Sequence, residues 1–199
     1  EGRSGFASTE KLDRQSIQHT LNKARSNSEF QDSTLVFMPD TFPVLVEALE
    51  RLFDFCQLEK FHLVGHSMGG MVAQEYLVKN QDRVISLTLF ATSAAFGKND
   101  SEWQQNFIQN RLKPLEEGGM EAVATQIIPE LLSANVNPKI SEKAKKILTN
   151  CRPEAYRSAL QCLVTFDRRS ELSEINTPTL LVTGEQDTQA PPTMMKRMA

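Results

Sequence analysis

Apolar residues along the first half of this chain fall into two alternating rhythms. Leu35-Val36-Phe37-Met38 is a short continuous apolar run bounded by Ser33-Thr34 and Pro39-Asp40, which predicts a buried strand of a parallel sheet. Leu45, Leu49, Leu52, Phe53 and Cys56 then recur at three- and four-residue intervals, with Glu47, Glu50, Arg51 and Asp54 opposite them. That is an amphipathic helix, capped by Asp40 or Thr41 with Pro43 in its first turn. By its spacing Cys56 belongs to the apolar face, as a small buried hydrophobe. A second apolar run, Phe61 to Val64, leads into a segment with helical spacing that ends near Lys79, and Val84–Phe90 follows as another strand. Strand, helix, strand, helix, strand implies right-handed crossovers and a parallel sheet.

From Ala91 the rhythm changes. Residues 97–172 hold helical patterns and no convincing strand. The first pattern covers Glu102–Leu112 and is ended by Pro114 and Gly118-Gly119. The second covers Met120–Leu132 with an interruption near Pro129. Ile140–Leu148 follows with Lys143, Lys145 and Lys146 on a solvated face, and Glu154–Phe166 comes last. A helical excursion between two strands predicts a lid over 97–172, with the core split between 1–96 and 173–199. The sheet resumes as a buried strand at Thr179–Thr183, closed by Gly184-Glu185-Gln186-Asp187, and a helix begins at Thr193. Residues 1–33 predict only a weak helix over 10–25, carrying His19 on its surface.

Between the second strand and its helix lies Gly65-His66-Ser67-Met68-Gly69-Gly70. G-x-S-x-G in a strand–turn–helix context is a nucleophile elbow. Glycines let the backbone turn sharply, the serine sits strained at the apex, and the N–H of Met68 points where a substrate's carbonyl oxygen would lie. Gly65, Gly69 and Gly70 are the turn's glycines, and His66 shapes its entrance. A serine hydroxyl needs a base to take its proton and an acid to orient that base. Asp187, in the loop after a parallel strand, stands at the sheet edge that carries the elbow and is the expected acid, with Glu185 as the fallback. The histidine is harder to find. His19, His62 and His66 are the three in the sequence, all precede Asp187, and His62 is expected to pack against a covering helix.

Composition narrows the classes. At 40% hydrophobic and 24% charged, 199 residues suffice for one domain with a sizeable core. A net charge of −3 gives no reason to expect nucleic acid or an anionic membrane as partner. No apolar run approaches the roughly 18 residues of a membrane span, and nothing resembles a signal peptide. Cys56, Cys151 and Cys162 lack metal-ligand spacing, so no metal site is expected, and free thiols suit a reducing cytoplasm.

From residue 35 onward the chain resembles the α/β-hydrolases, and within them the lidded group typified by 3-oxoadipate enol-lactonases. The residues that carry this are Leu63–Ala73 around the elbow, Gly118–Ala124 in the lid, and Pro178–Asp187 with Pro191-Pro192. The resemblance implies a mostly parallel sheet flanked by helices, an inserted helical lid, no cofactor, and a Ser–Asp–His triad acting on a small ester or lactone through an acyl-enzyme. It also implies a His-Gly oxyanion loop early in the chain and a histidine after the acid, neither of which this sequence contains. A glycine-rich loop expected before Thr41-Phe42-Pro43 is replaced by Asp40. Together with a first residue that is Glu1, this suggests a truncated chain with an incomplete core, or else a naturally degenerate relative. Trp103 and Phe107 are candidates for the substrate pocket, with Phe96 and Ile127, and Arg157, Arg168 and Arg169 for an acidic substrate. A small-molecule binding module without catalysis is the alternative from another class; haloperoxidase-like or C–C-bond hydrolysis is a third. The partner is expected to be a small molecule, with a homodimer as an option.

Overall fold

The computed structural model describes Gln15, Gln18 and residues 41–97 and 101–199. The strand expected at Leu35–Met38, the alternative cap residue Asp40 and His19 lie outside the described residues; Gln15 and Gln18, within the expected 10–25 helix, are helical. Residues 41–112 and 157–199 form one compact unit, and residues 113–156 belong to another.

In the first unit, helix α1 (Phe42–Phe55) starts at Thr41, whose extended backbone makes it the N-cap. Phe42, Val46, Leu49 and Phe53 form its inward stripe. The helix closes in a Schellman turn: Gln57 takes φ 56°, its N–H bonds Asp54 O, and the Leu58 N–H reaches back to Phe53 O. Cys56 is therefore the C-cap and is exposed. Its spacing predicted burial, but the helix ends one residue before the stripe would have reached it.

Strand β1 (Phe61–His66) leads to helix α2 (Met68–Asn80), strand β2 (Val84–Phe90) follows, and strand β3 (Thr179–Val182) completes a parallel sheet ordered β1-β2-β3. One face of that sheet carries the core. Phe61, Ala73, Tyr76, Leu77, Val84, Leu87 and Leu89 are buried together, with the Phe53, Phe61 and Tyr76 rings 4.4–5.9 Å apart. On the other face His62, Val64 and Leu180 are exposed. The run at 179–183 therefore does not form a strand buried on both faces; the apolar sequence is satisfied on one side only by the described residues.

Helical segments follow as α3 (Glu102–Leu131), α4 (Pro138–Thr149) and α5 (Pro153–Val164), with α6 (Pro192–Lys196) at the end. Proline at 114 does not end α3 as expected. Pro114 and Leu115 are both buried, and that burial offsets the hydrogen bond proline cannot make. The break comes instead at Gly118-Gly119, where Gly119 takes φ 65°, ψ −163°, a conformation essentially reserved for glycine. In the unit of residues 113–156, Leu115, Met120, Val123, Ala124, Ile127 and Ile128 are buried. Asn137 caps α4 by accepting the Lys139 N–H at 3.0 Å. Lys145 is not simply solvated: it lies 2.6 Å from Glu121, and this contact holds the Glu121 carboxyl below its usual range. Of the segment 97–172 expected as a lid, 102–112 and 157–164 fall in the sheet-bearing unit and 113–156 in the other.

Candidate active site

β1 delivers the chain to Ser67 and α2 carries it away. Ser67 takes φ 52°, ψ −124°, a region that a side-chain-bearing residue occupies only where its surroundings hold it. Its N–H donates to Phe90 O at 2.9 Å, tying the apex to the end of β2. Its carbonyl accepts from the Gly70 N–H at 2.9 Å, the Met71 N–H at 3.3 Å and the Thr92 hydroxyl at 2.7 Å. Ser67 itself is exposed.

The glycines have unequal reasons to be there. A Cβ at Gly65 would stand 2.5 Å from Gly69 O and 2.6 Å from Gly70 Cα, so β1 and α2 cross too closely for any side chain. At Gly70 a Cβ would meet the Thr92 side chain at 2.7 Å. At Gly69 nothing lies within 4 Å. Of the turn's three glycines, then, Gly65 and Gly70 make the close approach.

Met68 is half-buried against a second cluster formed by Phe42, Met71, Cys162 and Phe166. Its N–H is the first of α2 and lies outside the intrahelical bonding pattern, at the positive end of the helix. At the same sheet edge, His66 pairs in register with Phe90, and Phe90 with Val182. Asp187 follows β3 by five residues, counting from Val182. Its Oδ1 accepts the N–H groups of Gln189 and Ala190, both at 2.8 Å, and the Thr183 hydroxyl holds Ala190 O at 2.7 Å. One carboxylate oxygen is thereby fixed by its own turn. Glu185 is exposed in the same loop.

Neither described histidine enters this arrangement as a buried base. His66 is exposed at the mouth of the elbow. His62 does not pack under a helix as expected: it is exposed on the open sheet face, with Nδ1 2.7 Å from Ser86 Oγ. Among the described residues no cluster of three or more His, Cys, Asp or Glu could hold a metal, and no helix is long and apolar enough to cross a membrane.

Trp103 and Phe107 stack with centroids 5.8 Å apart, and Phe96 contacts both rings, at 5.3 and 4.8 Å. Buried Gln104 holds this cluster in place, its Nε2 donating to Phe96 O at 2.5 Å and Val164 O at 2.8 Å. Two of the arginines considered for an acidic substrate have other work. Arg168 Nη2 donates to Glu75 Oε1 at 2.8 Å and its Nε sits 2.6 Å from Oε2. Hydrogen bonding to Glu75 pushes the Arg168 guanidinium further above its usual range. Arg169 pairs with Asp167, whose carboxyl it holds below the ordinary value.

Sequence reasoning passed over Gln74 and Thr92. Gln74 is buried, and its Nε2 bridges Gly70 O at 3.1 Å and Ser93 O at 3.0 Å. The available signal was the Gln74-Glu75 pair itself, two polar residues inside a helix that is otherwise apolar on nearly every side. Such groups are buried only with partners.

The sequence profile of the alpha/beta hydrolase fold matches residues 4–199. The chain belongs to the α/β-hydrolase fold family. This α/β hydrolase is 27% identical over 150 residues to 3-oxoadipate enol-lactonase 1 of Acinetobacter baylyi, covering 74% of this chain and 54% of that protein. It is 29% identical over 138 residues to the pimeloyl-(acyl-carrier protein) methyl ester esterase of Nitrosospira multiformis, covering 65% of this chain and 52% of the esterase. The crystal structure of the enol-lactonase from Burkholderia xenovorans superposes with a TM-score of 0.74 at 22% identity, over 82% of this chain and 62% of that one. The chain spans about half the length of the curated relatives it matches. The resemblance to enol-lactonases is thus present in both sequence and fold, and the parallel sheet flanked by helices is that of the α/β hydrolases.

Proposed function

We propose that this α/β hydrolase cleaves a small carboxylic ester or lactone through an acyl-enzyme formed on Ser67. The observation that carries the reading is the backbone of Ser67, held at φ 52° between a parallel strand and a helix N-terminus. That strain presents Oγ to solvent at the sheet edge and leaves the Met68 N–H aimed outward. In the proposed sequence Ser67 Oγ attacks the carbonyl carbon, its proton passes to a base, and the oxygen's developing charge is met by the Met68 N–H. The alkoxide or enolate then leaves with that proton, and water releases the acyl group by the same route. Asp187, with Oδ1 fixed by its turn, would offer Oδ2 to orient an imidazole. This reading leaves that imidazole outside the described residues. The Phe96–Trp103–Phe107 cluster is the proposed apolar wall for the substrate.

Mass spectrometry after incubation with a fluorophosphonate tests the assignment. One equivalent added at Ser67, and none in Ser67→Ala, is the expected result; labelling that survives Ser67→Ala would move the nucleophile elsewhere. A binding module that holds a small molecule without turnover is the second reading. Saturable binding of a small ester with no acylation of Ser67 would support it.

A further inference from the structure

We propose that Thr92 is a positioning residue of this site, whose hydroxyl aims the oxyanion donor. The Ser67 carbonyl and the Met68 N–H belong to the same planar unit and point in opposite directions, so whatever fixes the carbonyl fixes the aim of the N–H. Thr92 Oγ1 donates to that carbonyl at 2.7 Å, from a residue only 2% exposed. The Gly70 and Met71 N–H groups hold the same oxygen along the axis of α2, and Thr92 adds a donor from β2's exit loop. Without it, the plane can rock about the axis of α2, and the Met68 N–H rocks with it.

Thr92 is itself held on both sides. Its Cβ, Cγ2 and Oγ1 occupy the space beside Gly70 that a side chain there would need, since a Cβ on that glycine would stand 2.7 Å from each. One residue before it, Ala91 takes φ 43° while its N–H bonds Val182 O at 2.9 Å, which ties the start of this loop to the end of β3. One residue after it, Ser93 O is anchored to α2 through Gln74. The hydroxyl therefore has little freedom to turn elsewhere, and donation to Ser67 O also polarises the peptide so that its N–H becomes a better donor.

The proposal rests on Ser67 being the nucleophile, and the test separates the two. Wild type, Thr92→Val, Thr92→Ser and Ser67→Ala are compared in p-nitrophenyl acetate hydrolysis and in hydrogen exchange of the segment 64–72. Valine keeps the packing on Gly70 and removes the donor; serine keeps the donor. Removing an oxyanion donor outright costs about a hundredfold or more, so misaiming one predicts about a tenfold fall in kcat for Thr92→Val with KM within about twofold. Thr92→Ser should recover most of the rate, and exchange at the elbow should quicken in Thr92→Val alone. Wild-type kcat and exchange in Thr92→Val, or equal impairment in Thr92→Ser, overturns the role of Thr92 while leaving Ser67 in place. A wild type with no Ser67-dependent turnover, or Ser67→Ala as active as wild type, overturns both.

Discussion

Replacing Arg168 by methionine should be among the costlier single changes in this protein. Glu75 sits on the elbow helix α2 and its side chain is 8% exposed, so its carboxylate depends on Arg168 for compensation. Breaking a buried ion pair from one side costs about 3–5 kcal/mol, because a charge is left without water or partner. The Arg168 side chain is 29% exposed, which admits some solvent and places the expectation near the lower end, about 3 kcal/mol. For a chain of this length that is a fall of about 6–12 °C in Tm. The two halves of the pair should not be equivalent. In Glu75→Met the freed guanidinium can swing outward, with Glu171 already 3.8 Å away, so the loss should be smaller. In Arg168→Met the carboxylate has no such exit. The double variant should regain most of the loss, since two apolar side chains replace a pair that was costly to desolvate. Urea unfolding of the four proteins, followed by far-UV circular dichroism, gives the cycle. If Glu75→Met is as damaging as Arg168→Met, or the two losses simply add, the buried-charge argument is wrong.

The glycines of the elbow make a second, sharper comparison. Gly65→Ala should cost about 3 kcal/mol or more in thermal unfolding, because the new Cβ meets backbone 2.5 Å away that cannot move without separating β1 from α2. Gly69→Ala should be neutral or stabilising by up to about 1 kcal/mol, since the site is open and helical and alanine is the better helix former. Tyr76 supplies the pH-dependent case. Burial pushes its phenol above the ordinary value of 10.0, partly opposed by Arg83, so its contribution to stability is complete below that value and lost as pH rises through the folded-state value. Its hydroxyl has no hydrogen-bond partner among the described residues, so Tyr76→Phe should be neutral to about 1 kcal/mol stabilising at pH 7. Alkaline denaturation monitored at 295 nm should then start at a higher pH in the variant.

Much of the first unit was legible in the sequence because it is governed by local rules. The three- and four-residue spacing in 42–55 located α1 and the G-x-S-x-G pattern located the turn at Ser67; in the other unit, asparagine and proline marked the start of α4 by the same kind of rule. Asp187 could be placed at the elbow's edge because parallel strands all present their carboxyl ends together. These inferences need only neighbours along the chain, or a rule of handedness.

Other features depended on partners the chain brings from far away. Whether Cys56 or His62 is buried turns on where a helix stops and which sheet face is covered, and periodicity carries neither fact. Glu75 and Arg168 are separated by 93 positions, and Thr92 and Ser67 by 25, yet each pair meets within hydrogen-bond distance. The sequence by itself determined where the backbone turns and which residue sits at the apex of the elbow. Only the tertiary structure decided what holds that apex in its strained conformation, because a buried polar group is stable only beside the donor or charge that the fold delivers to it.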